Sequence, residues 1–150
     1  MAYDAFAMAR IDLHIDPVTG TIPIDSSLLY GTDEYEVTEE GKAVLRDIFG
    51  VYCSVLSQEK YRGFVSRIVI VGHTDTAGSY DYNLELSQKR AEAVRDFCLS
   101  DECGIENVEW LRILLDAEGH SYDEPVYEAD GSVNMDASRR VEIQFKIDLE

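Results

Sequence analysis

The chain has 150 residues, of which 45% are hydrophobic and 29% charged, a composition typical of one folded domain. Thirteen basic against thirty acidic residues give a net charge of −17, which argues against nucleic acid or anionic lipid as a partner. No stretch approaches the roughly 18 apolar residues of a membrane span. The N-terminus also lacks the basic leader and apolar core of a signal peptide.

The N-terminal segment has the pattern of a β-hairpin. Apolar and polar residues alternate over residues 11–16, residues 16–20 contain turn formers, and residues 21–24 are extended again, with Pro23 favouring a sheet edge. We therefore predict a hairpin extension over residues 1–25. Residues 26–30 are predicted to form the first strand of a main domain that covers residues 26–150.

Two helices and one strand follow. Thr38 is a predicted N-cap, because two glutamates follow it, and apolar residues then recur at helical spacing over residues 44–56. Residues 66–71 form a short apolar run typical of a strand, and residues 72–79 are rich in turn formers. Residues 84–98 have a second helical pattern.

The last third of the chain is predicted to contain two strands separated by a long loop. Residues 111–115 are interpreted as a strand, residues 116–137 as a loop, and residues 139–147 as an alternating strand with one buried face. The resulting order β-α-β-α-β-β predicts an α+β fold, a two-layer sandwich with helices on one face of a mixed sheet.

Arg90 stands out because it falls on the apolar face of the second helix, between Val94 and Phe97. A guanidinium that loses its water needs an anion and hydrogen bonds in return. Asp75 lies in the loop before this helix. The two residues are therefore predicted to form either an internal salt bridge or a small site for a zwitterion, with Asp75 facing an ammonium and Arg90 a carboxylate.

The residues around this pair resemble a known family motif. Gly72-His73-Thr74-Asp75, then Gly78-Ser79, Tyr82-Asn83, Leu86-Ser87 and Arg90-Ala91 are similar to the central motif of the OmpA C-terminal-like family. That family includes peptidoglycan-associated lipoproteins and the periplasmic part of MotB-type motor stators. The resemblance covers about residues 26–147 and extends to the closing stretch Arg139-Arg140-Val141-Glu142-Ile143.

The resemblance implies non-covalent binding of the peptidoglycan stem peptide through the free end of its diaminopimelate, held by Asp75 and Arg90. Supporting roles are expected for Thr74, Thr76, Asn83, Tyr30, Asp33 and Arg139. Asn83 is predicted to cap the helix, although the resemblance would have it order the Asp75 loop. Arg139 is predicted either to pair with an acid or to line the site. Because wall polymers carry carboxylates, the site should be less negative than the chain as a whole.

The resemblance also implies an extracytoplasmic location, in the periplasm or another envelope space, as part of a membrane-anchored protein whose anchor lies outside this chain. Two alternatives remain open. The domain could be a stator-like module that also forms a homodimer, or an interaction scaffold in which Asp75 and Arg90 form only an internal salt bridge.

No catalytic residue, cofactor or metal site is predicted. His73, Asp75 and Ser79 or Ser87 could be imagined as a hydrolase triad, but no nucleophile-elbow motif surrounds either serine. Metal binding is not indicated, because paired cysteine or histidine ligands are lacking. Cys53 is predicted to be a core residue, whereas Cys98 and Cys103 could form a disulfide in an oxidising compartment.

Overall fold

The computed structural model describes residues 21–31, 33–59 and 63–147. The helices and strands in this part of the chain are β1 (Thr21–Asp25), α1 (Glu39–Leu56), β2 (Val65–His73), α2 (Tyr80–Cys98), α3 (Val108–Leu114), β3 (Leu115–Gly119), α4 (Met135–Ser138) and β4 (Arg140–Ile147). A short 3-10 helix, Ser26–Leu28, follows β1.

The strands form one mixed sheet in the order β1-β4-β2-β3. The β1–β4 and β4–β2 pairs are antiparallel. The β2–β3 pair is parallel, and the crossover connection that this pairing requires contains α2 and α3. The strand and helix order thus confirms the predicted α+β fold. Pro23 lies in β1, which is an edge strand of the described sheet, as its missing N–H favours.

The core lies between the sheet and the two long helices. Alternate residues of β2 and β4 share it with one face of α1 and one face of α2. Representative fully buried members are Leu45, Phe49, Ile68, Ile70, Val94, Val141 and Ile143. Thr38 caps α1 as predicted, since its hydroxyl accepts a hydrogen bond from the Gly41 N–H at 3.1 Å.

The first core strand lies earlier in the chain than predicted. Residues 21–25 pair with β4, whereas residues 26–28 turn into the 3-10 helix and the prediction of a strand over 26–30 is wrong. Asp25 explains the turn, because its carboxylate accepts from the Ser27 N–H at 2.8 Å and competes with continued pairing. The remainder of the predicted hairpin, residues 11–20, lies outside the described residues.

The segment predicted as a strand over residues 111–115 is also different. Residues 108–114 are helical, and β3 begins only at Leu115. The run Leu-Arg-Ile-Leu-Leu fits either element, because a short apolar run has no diagnostic periodicity. The burial of its residues agrees with the helix. Residues 111 and 113 would share one face in a strand, yet Leu111 is buried and Ile113 is 85% exposed. Residues 116–137 therefore contain most of β3 and the start of α4 besides a loop.

Two glycines bring α2 directly onto the sheet. A Cβ at Gly72 would lie 2.4 Å from the Ser87 carbonyl oxygen, and one at Gly119 would lie 2.3 Å from the Gln88 nitrogen. The Gln88 side chain reinforces the contact, because its Oε1 accepts from the Gly119 N–H at 2.7 Å. This close packing fixes the position of Arg90, which lies within one helical turn of both contacts.

Candidate functional site

A cavity of about 590 Å³ opens beside the carboxyl end of β2, between the loop before α2 and the segment that follows β1. The residues that line it include most of those singled out from the sequence: Tyr30, Asp33, Thr74, Asp75, Asn83, Arg90 and Arg139. They come from four separate parts of the chain and meet because β2 and β4 are neighbours and α2 crosses directly above them.

Arg90 is buried, with 7% of its surface exposed, as its place on the helix predicts. Its Nε donates to the Glu34 carbonyl at 2.7 Å and its Nη2 to the Gly31 carbonyl at 3.4 Å. The guanidinium carbon lies 4.9 Å from the centre of the Tyr30 ring. Burial lowers the pKa of Arg90, because removing the guanidinium from water disfavours its charged form.

No carboxylate of the described residues lies within ion-pair distance of Arg90. The internal Asp75–Arg90 salt bridge considered above is therefore not the arrangement in the folded chain. Backbone carbonyls and a ring face offset part of the desolvation of the guanidinium, but they supply no formal negative charge. This leaves Arg90 as a cation at a cavity wall that an anion could approach.

Asp75 is paired with Arg139 instead. Its Oδ2 accepts from Arg139 Nη1 at 2.5 Å, and its Oδ1 accepts from the Ala77 N–H at 3.0 Å. The hydrogen bond that Arg139 donates to the Asp75 carboxylate raises the pKa of Arg139. Arg139 also contacts Asp136, so it both pairs with an acid and lines the cavity. The alternating sequence pattern of β4 is compatible with both roles of Arg139, so the sequence alone did not distinguish them.

Asn83 orders the Asp75 loop rather than capping the helix. The helix begins at Tyr80, and its N-cap is Ser79, whose hydroxyl accepts from the Tyr82 N–H. Asn83 is buried, and its side-chain amide donates to the carbonyls of Ala77 and Ser79 at 2.7 and 3.0 Å. The capping prediction was wrong because the helix starts three residues earlier than Asn83.

We expect Asn83→Ala and the nearly isosteric Asn83→Asp both to lower the free energy of unfolding by about 1–3 kcal/mol, because the carbonyls of Ala77 and Ser79 lose the hydrogen bonds from the buried Asn83 amide. Urea unfolding followed by circular dichroism measures the effect. The aspartate variant is the informative one, since it keeps the volume and removes the N–H donors. Wild-type stability in that variant would mean that these hydrogen bonds do not hold the loop.

Of the other residues predicted to support the site, Tyr30, Asp33 and Thr74 line the cavity and Thr76 does not. The Tyr30 hydroxyl donates to the Arg90 carbonyl at 2.6 Å, and burial raises the pKa of Tyr30, so it remains a neutral donor. Thr74 is buried and binds through its N–H to the Ser121 carbonyl. Asp33 lines the cavity. Thr76 does not: its hydroxyl contacts the Met135 sulfur at 3.5 Å.

The cavity is electrically balanced although the protein is strongly acidic. Its charged lining consists of Asp33, Asp75, Arg90 and Arg139, two of each sign, whereas the whole chain has a net charge of −17. A cavity with this balanced lining can accept a ligand that carries both charges. The strongly acidic remainder of the surface would repel an anion, whereas this lining would not.

The residues of the imagined triad have other partners. Asp75 binds Arg139, Ser79 caps α2, and the Ser87 hydroxyl donates to the Leu84 carbonyl. His73 is buried at the end of β2 beside Glu142. These contacts give none of the base–nucleophile hydrogen bonds that a hydrolase triad requires among these residues.

The three cysteines are buried free thiols, including Cys53 in the core as predicted. Burial raises the pKa of Cys98, and a hydrogen bond from Cys98 lowers the pKa of Cys103. The disulfide considered for Cys98 and Cys103 is therefore not formed in this structure.

Sequence reasoning missed a cluster formed by His73, His120 and Glu124, whose ligand-type atoms lie within 4.8 Å of one another. The two histidines are distant in the chain. They meet because Gly72 pairs with Gly119 in adjacent parallel strands, so the next residue of each strand lies at the same edge. The pairing register of β2 and β3 would have been the signal, and a single sequence does not supply it.

The sequence profile of the OmpA family matches residues 29–139, and the chain belongs to this family. Zorya protein ZorB of Escherichia coli O139:H28 is 29% identical over 152 residues, covering 91% of this chain and 59% of that protein. The chain thus spans little more than half the length of this curated relative. In the described residues, no helix is long and apolar enough to cross a membrane.

Two solved structures share the fold. A MotB-like protein from Desulfovibrio vulgaris has a TM-score of 0.68 at 21% identity, with 99% of this chain and 91% of that chain covered. The cell wall anchor of the type VI secretion system from Pseudomonas aeruginosa has a TM-score of 0.61 at 24% identity, with 97% and 94% covered. At these identities the likeness establishes the fold.

Proposed function

We propose that this domain binds peptidoglycan non-covalently through the free end of the diaminopimelate in its stem peptide. The observation that carries the proposal is the buried Arg90 guanidinium, which lines the cavity without a carboxylate partner among the described residues. The carboxylate of diaminopimelate would provide the missing negative charge, and the planar guanidinium can hold it through two hydrogen bonds.

Asp75 would hold the ammonium of the same ligand end. It lines the same cavity as Arg90, and its two present donors leave capacity for a third, because a carboxylate offers about four acceptor sites. Arg139 would keep the carboxylate aimed into the cavity, and Asn83 would keep its loop in place. Tyr30, Asp33 and Thr74 also line the cavity.

This role makes the chain the wall-binding module of a longer, membrane-anchored protein in the periplasm or an equivalent envelope space. Support comes from the family membership and from the fold shared with a cell wall anchor and with MotB-like proteins. A stator-type parent protein that forms a homodimer fits the same observations. The membrane anchor of such a parent would correspond to the part of ZorB that this chain does not cover.

A second candidate is an interaction scaffold, and one observation favours it. Asp75 already has a cationic partner in Arg139, so a ligand ammonium would have to share the carboxylate. In a scaffold this ion pair would serve only to close the loop onto β4, and the domain would act through a protein partner.

Sedimentation with insoluble peptidoglycan tests the proposal. We expect wild-type protein to sediment with a diaminopimelate-type wall and not with a wall in which lysine replaces diaminopimelate, since lysine lacks the carboxylate that Arg90 would hold. Asp75→Asn should lose at least about tenfold in affinity, because a charge-assisted hydrogen bond contributes roughly 1.5–3 kcal/mol.

The matched control is Asp101→Asn, an exposed aspartate in the turn after α2. It should bind as wild type does. A folded Asp75→Asn variant that still binds in full would contradict the assigned site. Failure of the wild type to bind either wall would leave the scaffold as the better reading.

A further inference from the structure

A second polar cluster lies on the opposite face of the sheet from α1 and α2. His73 has the strand parity of Arg67, whereas Ile68 and Ile70 face the helices. His120 directly follows β3, and its ring meets that of His73 edge to face, with centroids 5.5 Å apart. Glu124 approaches from the following loop, with its Oε1 3.1 Å from His120 Nδ1.

His73 is unusual because it is 2% exposed and neither ring nitrogen has a well-formed hydrogen bond among the described residues. Glu142 Oε1 lies 3.3 Å from Nε2 but without the alignment that a hydrogen bond needs. Buried polar groups are nearly always satisfied, and an exception needs an explanation such as a bound ion.

We propose that His73, His120 and Glu124 bind a divalent transition-metal ion of the Zn²⁺ class. Imidazole nitrogens and a carboxylate are a common donor set for zinc, with three protein ligands and a water in the fourth position. The three ligand atoms lie within 4.8 Å of one another, and tetrahedral zinc brings such atoms to about 3.3 Å apart. Small side-chain rotations would complete the site.

The surroundings supply the outer contacts that metal-binding histidines have. With the metal on Nδ1 of His120, the opposite nitrogen Nε2 lies 3.1 Å from Glu118, which Arg67 holds at 3.0 Å. Glu142 lies beside His73 and is held by Arg140 at 2.8 Å. A carboxylate hydrogen-bonded behind an imidazole, as Glu118 is behind His120, fixes the ring orientation and strengthens its donation to a metal.

Such an ion would tie together the two loops at the base of the ligand cavity. His73 precedes Thr74 and Asp75, and His120 precedes Ser121, whose carbonyl accepts from the Thr74 N–H at 2.9 Å. A metal bound to both histidines would hold this junction and so keep the Asp75 loop in place. Mg²⁺ should not substitute, because it prefers oxygen ligands.

Isothermal titration of chelator-stripped full chain with ZnCl₂ tests the site. We expect one Zn²⁺ per chain and a rise in melting temperature on zinc addition that MgCl₂ does not reproduce. His120→Ala and Glu124→Gln should each weaken zinc binding by at least about tenfold. Both side chains are partly exposed, so the variants should fold, and Glu128→Gln, an exposed acid of the same loop, is the matched control.

Absorption of the Co²⁺-substituted chain identifies the ligands independently. Nitrogen and oxygen ligands give d–d bands without the near-ultraviolet thiolate charge-transfer band that binding to the cysteines would produce. Zinc affinity unchanged in both His120→Ala and Glu124→Gln would overturn the proposal. So would a thiolate band in the cobalt spectrum, or wild-type protein that binds no zinc.

Discussion

Arg90→Ala is expected to lower the free energy of unfolding by about 2–4 kcal/mol, because the buried guanidinium's charge-assisted hydrogen bonds to the carbonyls of Gly31 and Glu34 and its contact with the Tyr30 ring are lost. The same change should abolish sedimentation with a diaminopimelate-type wall, since the ligand carboxylate loses its guanidinium. Urea unfolding and wall sedimentation measure the two effects separately. Sedimentation is run at a temperature where the variant is folded by circular dichroism.

Two further variants separate the structural role from the binding role. Arg112→Ala removes an exposed arginine that pairs only with Glu109 among the described residues, and it should change neither quantity. Arg90→Lys keeps the positive charge but lacks the planar guanidinium that can bind a carboxylate through two hydrogen bonds. It should therefore lose wall binding while recovering part of the stability. Full wall binding by folded Arg90→Ala would remove Arg90 from the ligand site.

Gly119→Ala is expected to destabilise the domain by about 3 kcal/mol or more, since the added methyl meets the backbone of α2 and overpacks a rigid contact. For a domain of this size that corresponds to a melting temperature lower by roughly 6–12 °C. Gly72→Ala should behave similarly, because its methyl would meet the Ser87 carbonyl oxygen at 2.4 Å. Thermal melts of the three proteins measure the effect.

Gly50→Ala provides the control for glycine replacement itself. Gly50 is exposed within α1, and a Cβ there meets no atom within 4 Å. Its replacement should stabilise the domain by about 0.5–1 kcal/mol, the usual gain of alanine over glycine in a helix. A wild-type melting temperature for Gly119→Ala would show that α2 can move away from the sheet at little cost.

The central motif was predictable because its signals are local. The apolar run of residues 66–71, the turn formers after it and the helical period of residues 84–98 each depend on neighbours in sequence, and β2 and α2 match them. The two strands predicted in the wrong place were residues 26–30 and 111–115, where short apolar runs fit more than one element. There the capping carboxylate of Asp25 and the burial of Leu111 decided the outcome.

The sequence by itself determined that Arg90 would be buried and would need polar partners, because helical periodicity alone places it on the core face. The tertiary structure decided which partners those are. Carbonyls of the loop after β1 contact Arg90, and Arg139 rather than Arg90 pairs with Asp75. The meeting of His73 with His120 likewise depends on strand register. These contacts join residues far apart in the chain, and only the packing of α2 and the pairing of the strands bring such residues together.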